Sequence, residues 1–348
     1  RRQRQMCIRD RRLVAAAAVI FGHSYAMAAV PGLHDFVTLM NLGYGAYTGS
    51  LAVEVFFVAS GCLVTASFMR RGFLAFARSR LLRVVPGYFV CITLTAVVLG
   101  PLMTTLPLAD YFSRVEVWHY IGSNMLFSAD HLHWTLPGVF ETHPKPNIVN
   151  GSLWTLPAEM QMYAWLGLIG LSGILKRPAL ATLALIGLLF SEALKPDWSA
   201  LILHRDYLRM AGLFITGALF FLNAGRIRMN VLVLAGLCFA CFLLRETNHH
   251  GYLLALTVAY ATLWFAYIPR IPSSRIPGDY SYGLYLWGFP CQQLVVAMLG
   301  EPMPMEIFFL SLPPAMVLAV LSWHLVEKPS LRLKNWRWRR APPEVLVA

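Results

Sequence analysis

Ten apolar segments divide this chain, at roughly 13–32, 50–69, 84–105, 152–172, 178–194, 208–223, 229–244, 251–268, 280–299 and 305–326. A helix needs about 20 apolar residues to cross a bilayer. Lipid offers no partner to backbone N–H and C=O groups, so segments of this kind can span only as hydrogen-bonded helices packed together. Several are nearer 16 residues than 20, a shortfall that local thinning or extension into the interface accommodates. Composition agrees: 57% of residues are hydrophobic and 13% charged, against about 25% charged in soluble domains, and mean hydropathy is +0.58. The expected fold is all-α, a polytopic membrane bundle of about ten transmembrane helices forming one domain over residues 1–348.

The net charge of +12 would suggest a nucleic-acid partner in a soluble protein. Here its placement accounts for it. With the N-terminus in the cytoplasm, the inner segments hold 23 of the 29 Lys and Arg residues and the outer ones hold 6. Basic residues concentrate on the cytoplasmic side, so both termini are expected there and no nucleic acid is called for. The first segment follows a basic stretch and ends near "AMAA", a cleavage-like sequence. Polar "GHSY" interrupts it and nine further segments follow, so it is read as the first helix rather than a signal peptide. The six cysteines, Cys7, Cys62, Cys91, Cys238, Cys241 and Cys291, are scattered. Cys238 and Cys241 lack the soluble context of a redox or metal-binding C-x-x-C pair and read as small buried thiols. No internal repeat is visible, which counts against an inverted-repeat transporter.

Two parts look soluble. One is the inner basic connection "RRGFLAFARSRLLR", Arg70 to Arg83. The other is an outer loop at about 106–151 containing His119, His131, His133 and His143 with Asp110, Glu116, Asp130 and Glu141. The spacing of these groups fits no metal-ligand pattern, so no metal is expected. The loop's aromatics, among them Tyr111, Trp118, Tyr120 and Trp134, suit an interfacial belt.

A few polar residues sit where an apolar segment gives them no reason to be. His23 lies in "RRLVAAAAVIFGHSYAM", about 16 Å along a helix from Arg12 and about 12 Å below Pro31. Eleven steps of about 100° bring Arg12 and His23 to within about 20° of each other, on one helix face. An ionisable group at that depth is expensive and is by default a functional candidate. Glu54 in "SLAVEVFFVASG" lies about one turn inside the outer boundary. Glu159 in "GSLWTLPAEMQMYAW" lies about 10 Å below its outer end. Two acids and a histidine at similar depth suggest one cluster, in which a carboxylate orients the imidazole as a general base. At the inner boundary Arg80 and Arg83 share a face at i, i+3, a spacing suited to phosphate. It is also found in simple topology anchors.

Together these stretches resemble the acyltransferase-3 family of integral membrane acyltransferases, which modify sugars of cell-surface glycans. The likeness runs from about Arg12 to Pro329. Arg12 and His23 match the family's R-x10-H, and "EVFFVASG" resembles its D/E-L-F-F-V-x-S-G. Arg80 to Arg83 matches R-x-x-R, and "LWTLPAEMQMY" matches L-W-S-L-x-x-E-x-x-x-Y. "SYGLYLWGFP" resembles S-Y-S-L-Y-L-x-H-x-P, and "LVEKP" resembles the closing E-[RK]-P. Gly288 stands where many members have histidine, Pro157 and Met160 replace commoner Ser and Glu, and Asp10 is one residue closer to the arginine than usual.

The resemblance implies a bacterial inner-membrane enzyme that moves an acyl group, expected to be acetyl, from cytoplasmic acetyl-CoA to a hydroxyl of a glycan or glycolipid on the outer side. It needs no permanently bound cofactor. On that reading Arg80 and Arg83, helped by Arg12, bind the CoA phosphates. His23 is the base or a transient acyl carrier. Glu159 orients His23 or holds the acceptor, and Glu54, Trp154 and Tyr163 support the acceptor side. The rival expectation is a proton-coupled transporter with His23, Glu54 and Glu159 as the relay.

Overall fold

The computed structural model describes residues 2–28, 30–40, 46–194, 204, 207–247, 250–267 and 277–335, with 2–10, 190–194, 267 and 335 described by backbone alone. The side chains of Cys7 and Asp10, and the C-terminal tail from 336, lie outside this set. Each apolar segment coincides with a helix: α1 (Arg2–Met27), α2 (Thr48–Arg71), α3 (Phe73–Met103), α4 (Thr155–Leu171), α5 (Pro178–Leu194), α6 (Leu208–Leu222), α7 (Val231–Leu243), α8 (His250–Tyr267), α9 (Ser281–Leu299) and α10 (Pro304–Arg332). No strand occurs among the described residues. Thr104 and Val139 form an isolated bridge. Among the described residues three helices, α2, α3 and α10, are long and apolar enough to cross a membrane.

The inner basic connection is not a loop. It is the end of α2 and the first turns of α3, broken at Gly72, whose φ of +74° a residue with a side chain would adopt only under strain. Basic residues continue the helix there because Lys and Arg are good helix formers. Two single-turn π segments, Thr95–Leu99 in α3 and Ser322–Glu327 in α10, each add a residue to a turn and so rotate the side chains that follow. The outer loop is also ordered. It carries helices Leu108–Ser113 and Val115–Asn124, and Gln293 of α9 donates to the backbone carbonyls of Lys145 (3.2 Å) and Ile148 (2.6 Å). Among the described residues no three His, Cys, Asp or Glu side chains are grouped as a metal would require.

Burial identifies the middle of the bundle. Fifteen of the nineteen residues of α9 are buried, against Cys241 alone in α7. The outward side chains of α7, such as Leu232, Phe239 and Phe242, are apolar and exposed, as lipid requires. Around α9 stand α1, α3 and α10, and α2 packs on α1 and on α6. The α2–α6 seam is close because it is built on glycine. A Cβ on Gly61 would fall 2.0 Å from the Phe214 carbonyl oxygen, and one on Gly217 would fall 2.1 Å from that of Val58. Small residues let helices pack where no hydrophobic force distinguishes helix from lipid.

Before α2, the buried Asp35 joins two backbone starts. Its carboxylate accepts from the Thr38 N–H (2.8 Å) and hydroxyl (2.7 Å), and from the Thr48 N–H (2.7 Å). Burial pushes this carboxyl up, but the hydrogen bonds outweigh it and hold it below its ordinary range.

Candidate active site

Two cavities adjoin where α1, α2, α4 and α9 meet. The larger, about 350 Å³, opens between α1, α2, α3, α4 and α10. Its walls carry Arg12, Arg70, Arg71, Arg80, Arg83 and Lys334 against two carboxylates, Glu159 and Asp279, so it is an electropositive vestibule. Partial burial, with Arg71 and Arg80 nearby, holds the Lys334 ammonium below its ordinary value. A narrow cavity of about 40 Å³ continues from it, walled by Phe56, Phe57, Thr155, Tyr285 and others. Arg12, Ser60, Glu159 and Tyr282 line both and form the neck between them.

At the neck, Glu159 accepts hydrogen bonds from the Tyr163 hydroxyl and, at 3.5 Å, from Ser60. The Arg80 guanidinium lies over the Tyr163 ring at 5.8 Å. Arg12 lies over Phe56 at 5.6 Å and approaches Asp279 at 3.9 Å. Trp154 is half-buried at the head of α4, packed on the core.

Arg83 does not have the open position that the R-x-x-R spacing suggests. Its side chain is 11% exposed and donates to Asp279 at 2.7 Å and to the fully buried Glu327 at 3.1 Å, between the rings of Tyr282 and Trp323. Both carboxylates have further donors: Ser281 to Asp279 at 2.8 Å, and Ser322 to Glu327 at 3.0 Å. The π segment of α10 ends at Glu327 and rotates that carboxylate toward α3. Arg83 thus ties α3, α10 and the entry to α9 together. Arg80, one turn earlier, has no carboxylate within ion-pair distance among the described residues and faces the vestibule.

His23 lines neither cavity. Its ring meets Phe289 edge-on at 5.3 Å and lies 6.3 Å from Tyr47, so it faces the seam between α2 and α9. Its Nδ1 is buried and has no hydrogen-bond partner among the described residues. Lys145 of the outer loop is near enough to act on it electrostatically. Arg12 faces the same seam further in, as the shared face requires.

The expected cluster of His23, Glu54 and Glu159 does not form. Glu159 bonds Ser60 and Tyr163 instead of the imidazole, so it does not orient His23. Glu54 turns to the opposite seam and pairs with Arg209 of α6 at 2.6 Å. Nor is a relay through the three residues connected. Gly288, where a second histidine is common in the family, has no room for a side chain: a Cβ there would come within 2.6 Å of Ile20.

Reading the sequence missed Asp279, Arg209 and Ser60, and noted Glu327 only as part of a closing motif. Arg209 carried a signal, being an arginine at the start of an apolar run at the depth of Glu54. Asp279 carried a weaker one, as an acid where the inner side is otherwise basic.

A family profile described as an acyltransferase domain matches residues 12–324. The chain is also 28% identical over 344 residues to a protein named O-acetyl transferase from Shigella phage Sf6, a match covering 92% of this chain and 95% of that one. No solved structure matches.

Proposed function

Because the chain belongs to the acyltransferase-3 family, and is therefore a membrane acyltransferase, we propose that it moves acetyl from cytoplasmic acetyl-CoA to a hydroxyl of a cell-surface glycan on the outer side of the bacterial inner membrane. The name of the phage relative supports acetyl as the group moved. The charge bias of the inner connections supports ten spans with both termini inside, and so an inward-facing vestibule. One observation carries the reading: a cationic vestibule narrows through a shared neck into a small cavity walled by Phe56, Phe57, Thr155 and Tyr285. A donor with several phosphates and one thin reactive arm fits that shape. Arg70, Arg71, Arg80 and Lys334 hold the phosphates by charge-assisted hydrogen bonds, and Arg12 and Glu159 flank the arm. Arg12 to His23 is eleven residues, about 16 Å of helix, a distance suited to a pantetheine arm.

At the outer end His23 takes the proton of the acceptor hydroxyl as its oxygen attacks the thioester carbon. The C–O bond forms, the C–S bond breaks, and the proton passes from the imidazole to the departing sulfur, so CoA leaves as the thiol. A positioned base contributes about 10²–10⁴-fold, and holding both substrates in line supplies more.

The test is acetyl-CoA-dependent transfer by purified protein, with mass spectrometry of surface glycans to name the acceptor. His23→Ala should abolish transfer while the protein still reaches the membrane at near-normal levels. His23→Gln keeps size and hydrogen bonding but takes up no proton at neutral pH, and should be equally inactive. Substantial transfer by His23→Gln, with His23→Ala unfolded, would make the imidazole a packing element and remove it from the chemistry.

A further inference from the structure

We propose that Gln292 of α9 is a positioning residue for His23, holding the turn of α1 that carries the imidazole. This rests on the reading above, in which His23 is the base. Glu159 bonds elsewhere, and Nδ1 has no partner among the described residues, so the aim of the ring depends on where α1 is fixed. Gln292 fixes it. Its side-chain nitrogen lies 2.7 Å from the Ile20 carbonyl oxygen and 2.8 Å from the Ser24 hydroxyl, which itself donates to the Ile20 carbonyl at 2.9 Å. A carbonyl only accepts, so the atom facing it is the amide nitrogen, and both of its N–H groups are used. Ile20 and Ser24 bracket His23 within one helical turn. The Gln292 side chain is fully buried, and its oxygen has no partner among the described residues. An idle buried oxygen is costly, and a methionine would pack there without that cost. What the glutamine adds is its two donors, and both go to the turn that carries His23.

The same turn is held from two further sides. A Cβ on Gly22 would fall 2.3 Å from the Gly49 nitrogen, so the residue before His23 lies against the α2 backbone. Phe289, three residues before Gln292, meets the His23 ring edge-on at 5.3 Å. It also packs with Met27, one turn after His23, and with Ile148 of the outer loop. Gln293 ties α9 to that loop through the Lys145 and Ile148 carbonyls, and its oxygen accepts from His143 Nδ1 at 2.7 Å. Gln292 therefore grips α1 from a helix that is itself anchored. Precision of this kind matters, because a misplacement of about 1 Å can cost about 100-fold in rate.

The experiment follows acetyl transfer from acetyl-CoA to membrane glycan in inverted inner-membrane vesicles of the native host, with vesicles carrying His23→Ala as the blank. Gln292→Met keeps the length of the side chain and loses both donors. It should lower kcat by about 10–100-fold and leave the KM for acetyl-CoA unchanged, because Gln292 lines neither cavity. Ser24→Ala removes one corner of the hydrogen-bonded triangle and should lower kcat by less. The two substitutions together should fall little below Gln292→Met alone, since they break one unit. Asn223→Leu is the control for general loosening. It breaks the 2.9 Å bond from α6 to Thr182 of α5 and should keep the parent kcat even where thermal unfolding in detergent shifts down. A folded Gln292→Met with the parent kcat overturns the proposal, as does an equal loss in Asn223→Leu. If Gln292→Met unfolds, Ser24→Ala decides, and the parent kcat there is the refuting result. Substantial transfer by His23→Gln would instead remove the base assignment beneath the proposal, a separate failure.

Discussion

Arg83 and Arg80 are one turn apart, yet their loss should fail in different ways. Replacing Arg83 by Met keeps a comparable apolar stem and deletes the guanidinium. Asp279 then retains Ser281 and a distant Arg12, and the fully buried Glu327 retains only Ser322. Removing one partner from a buried ion pair typically costs about 3–5 kcal/mol, because the charge left behind stays desolvated. At roughly 2–4 °C per kcal/mol for chains of 150–250 residues, thermal unfolding in detergent should fall by roughly 6–20 °C. Adding Glu327→Gln removes one stranded charge and should recover part of that loss. Arg80→Ala should unfold near the parent temperature but bind CoA more weakly. One charge-assisted hydrogen bond, worth about 1.5–3 kcal/mol, corresponds to roughly 10–150-fold in Kd by titration calorimetry. The reasoning is refuted if Arg83→Met melts with the parent while losing CoA affinity, because Arg83 would then be a phosphate ligand and its carboxylate pairing incidental.

Asp35→Asn keeps an oxygen for the Thr38 cap but turns an NH2 toward the Thr48 N–H, and should destabilise the protein by about 1.5–3 kcal/mol at neutral pH, the range for a lost hydrogen bond to a charged group. The folded carboxyl lies below its ordinary value, so its contribution is full above about pH 4 and disappears as pH falls through the lower folded value. Unfolding midpoints of parent and variant should therefore converge in acid, and a gap that persists there would refute the account. Gly288→Ala should cost about 1–3 kcal/mol by overpacking against Ile20, with Ile20→Ala restoring much of it. If the two effects simply add in a double-mutant cycle, the close contact is not the cause.

The helices were legible in the sequence because burial in lipid writes them as apolar runs, and their ends were not. Phe73 to Arg83 reads as a polar connection, yet it is helical: Lys and Arg continue a helix as readily as Leu does, and Gly72 alone breaks the path. The π turn that aims Glu327 at Arg83 has no signature in composition. Arg80 and Arg83 share a face in the sequence as in the structure, but whether a guanidinium meets a ligand or a carboxylate depends on which helix lies opposite. That is decided by α9 and α10, some two hundred residues away.

Glu54 shows where the boundary lies. Depth along the helix was read from residue counts, and depth placed Glu54 beside His23 and Glu159. Rotation was available too. From Glu54 to Gly61 is seven steps, about 20° short of two full turns, so both lie on one face, and Gly61 is where a neighbouring backbone can enter. From Glu54 to Ser60 is six steps, about 120° away, and Ser60 is the residue that meets Glu159. The sequence therefore already separates Glu54 from the seam that Ser60 faces and groups it with a glycine-lined one. It does not say that α6 fills that seam, or that α6 brings Arg209 to the same level. Two ionisable groups at equal depth become partners only when they also face one seam, and matching seams to helices is a property of the assembled bundle.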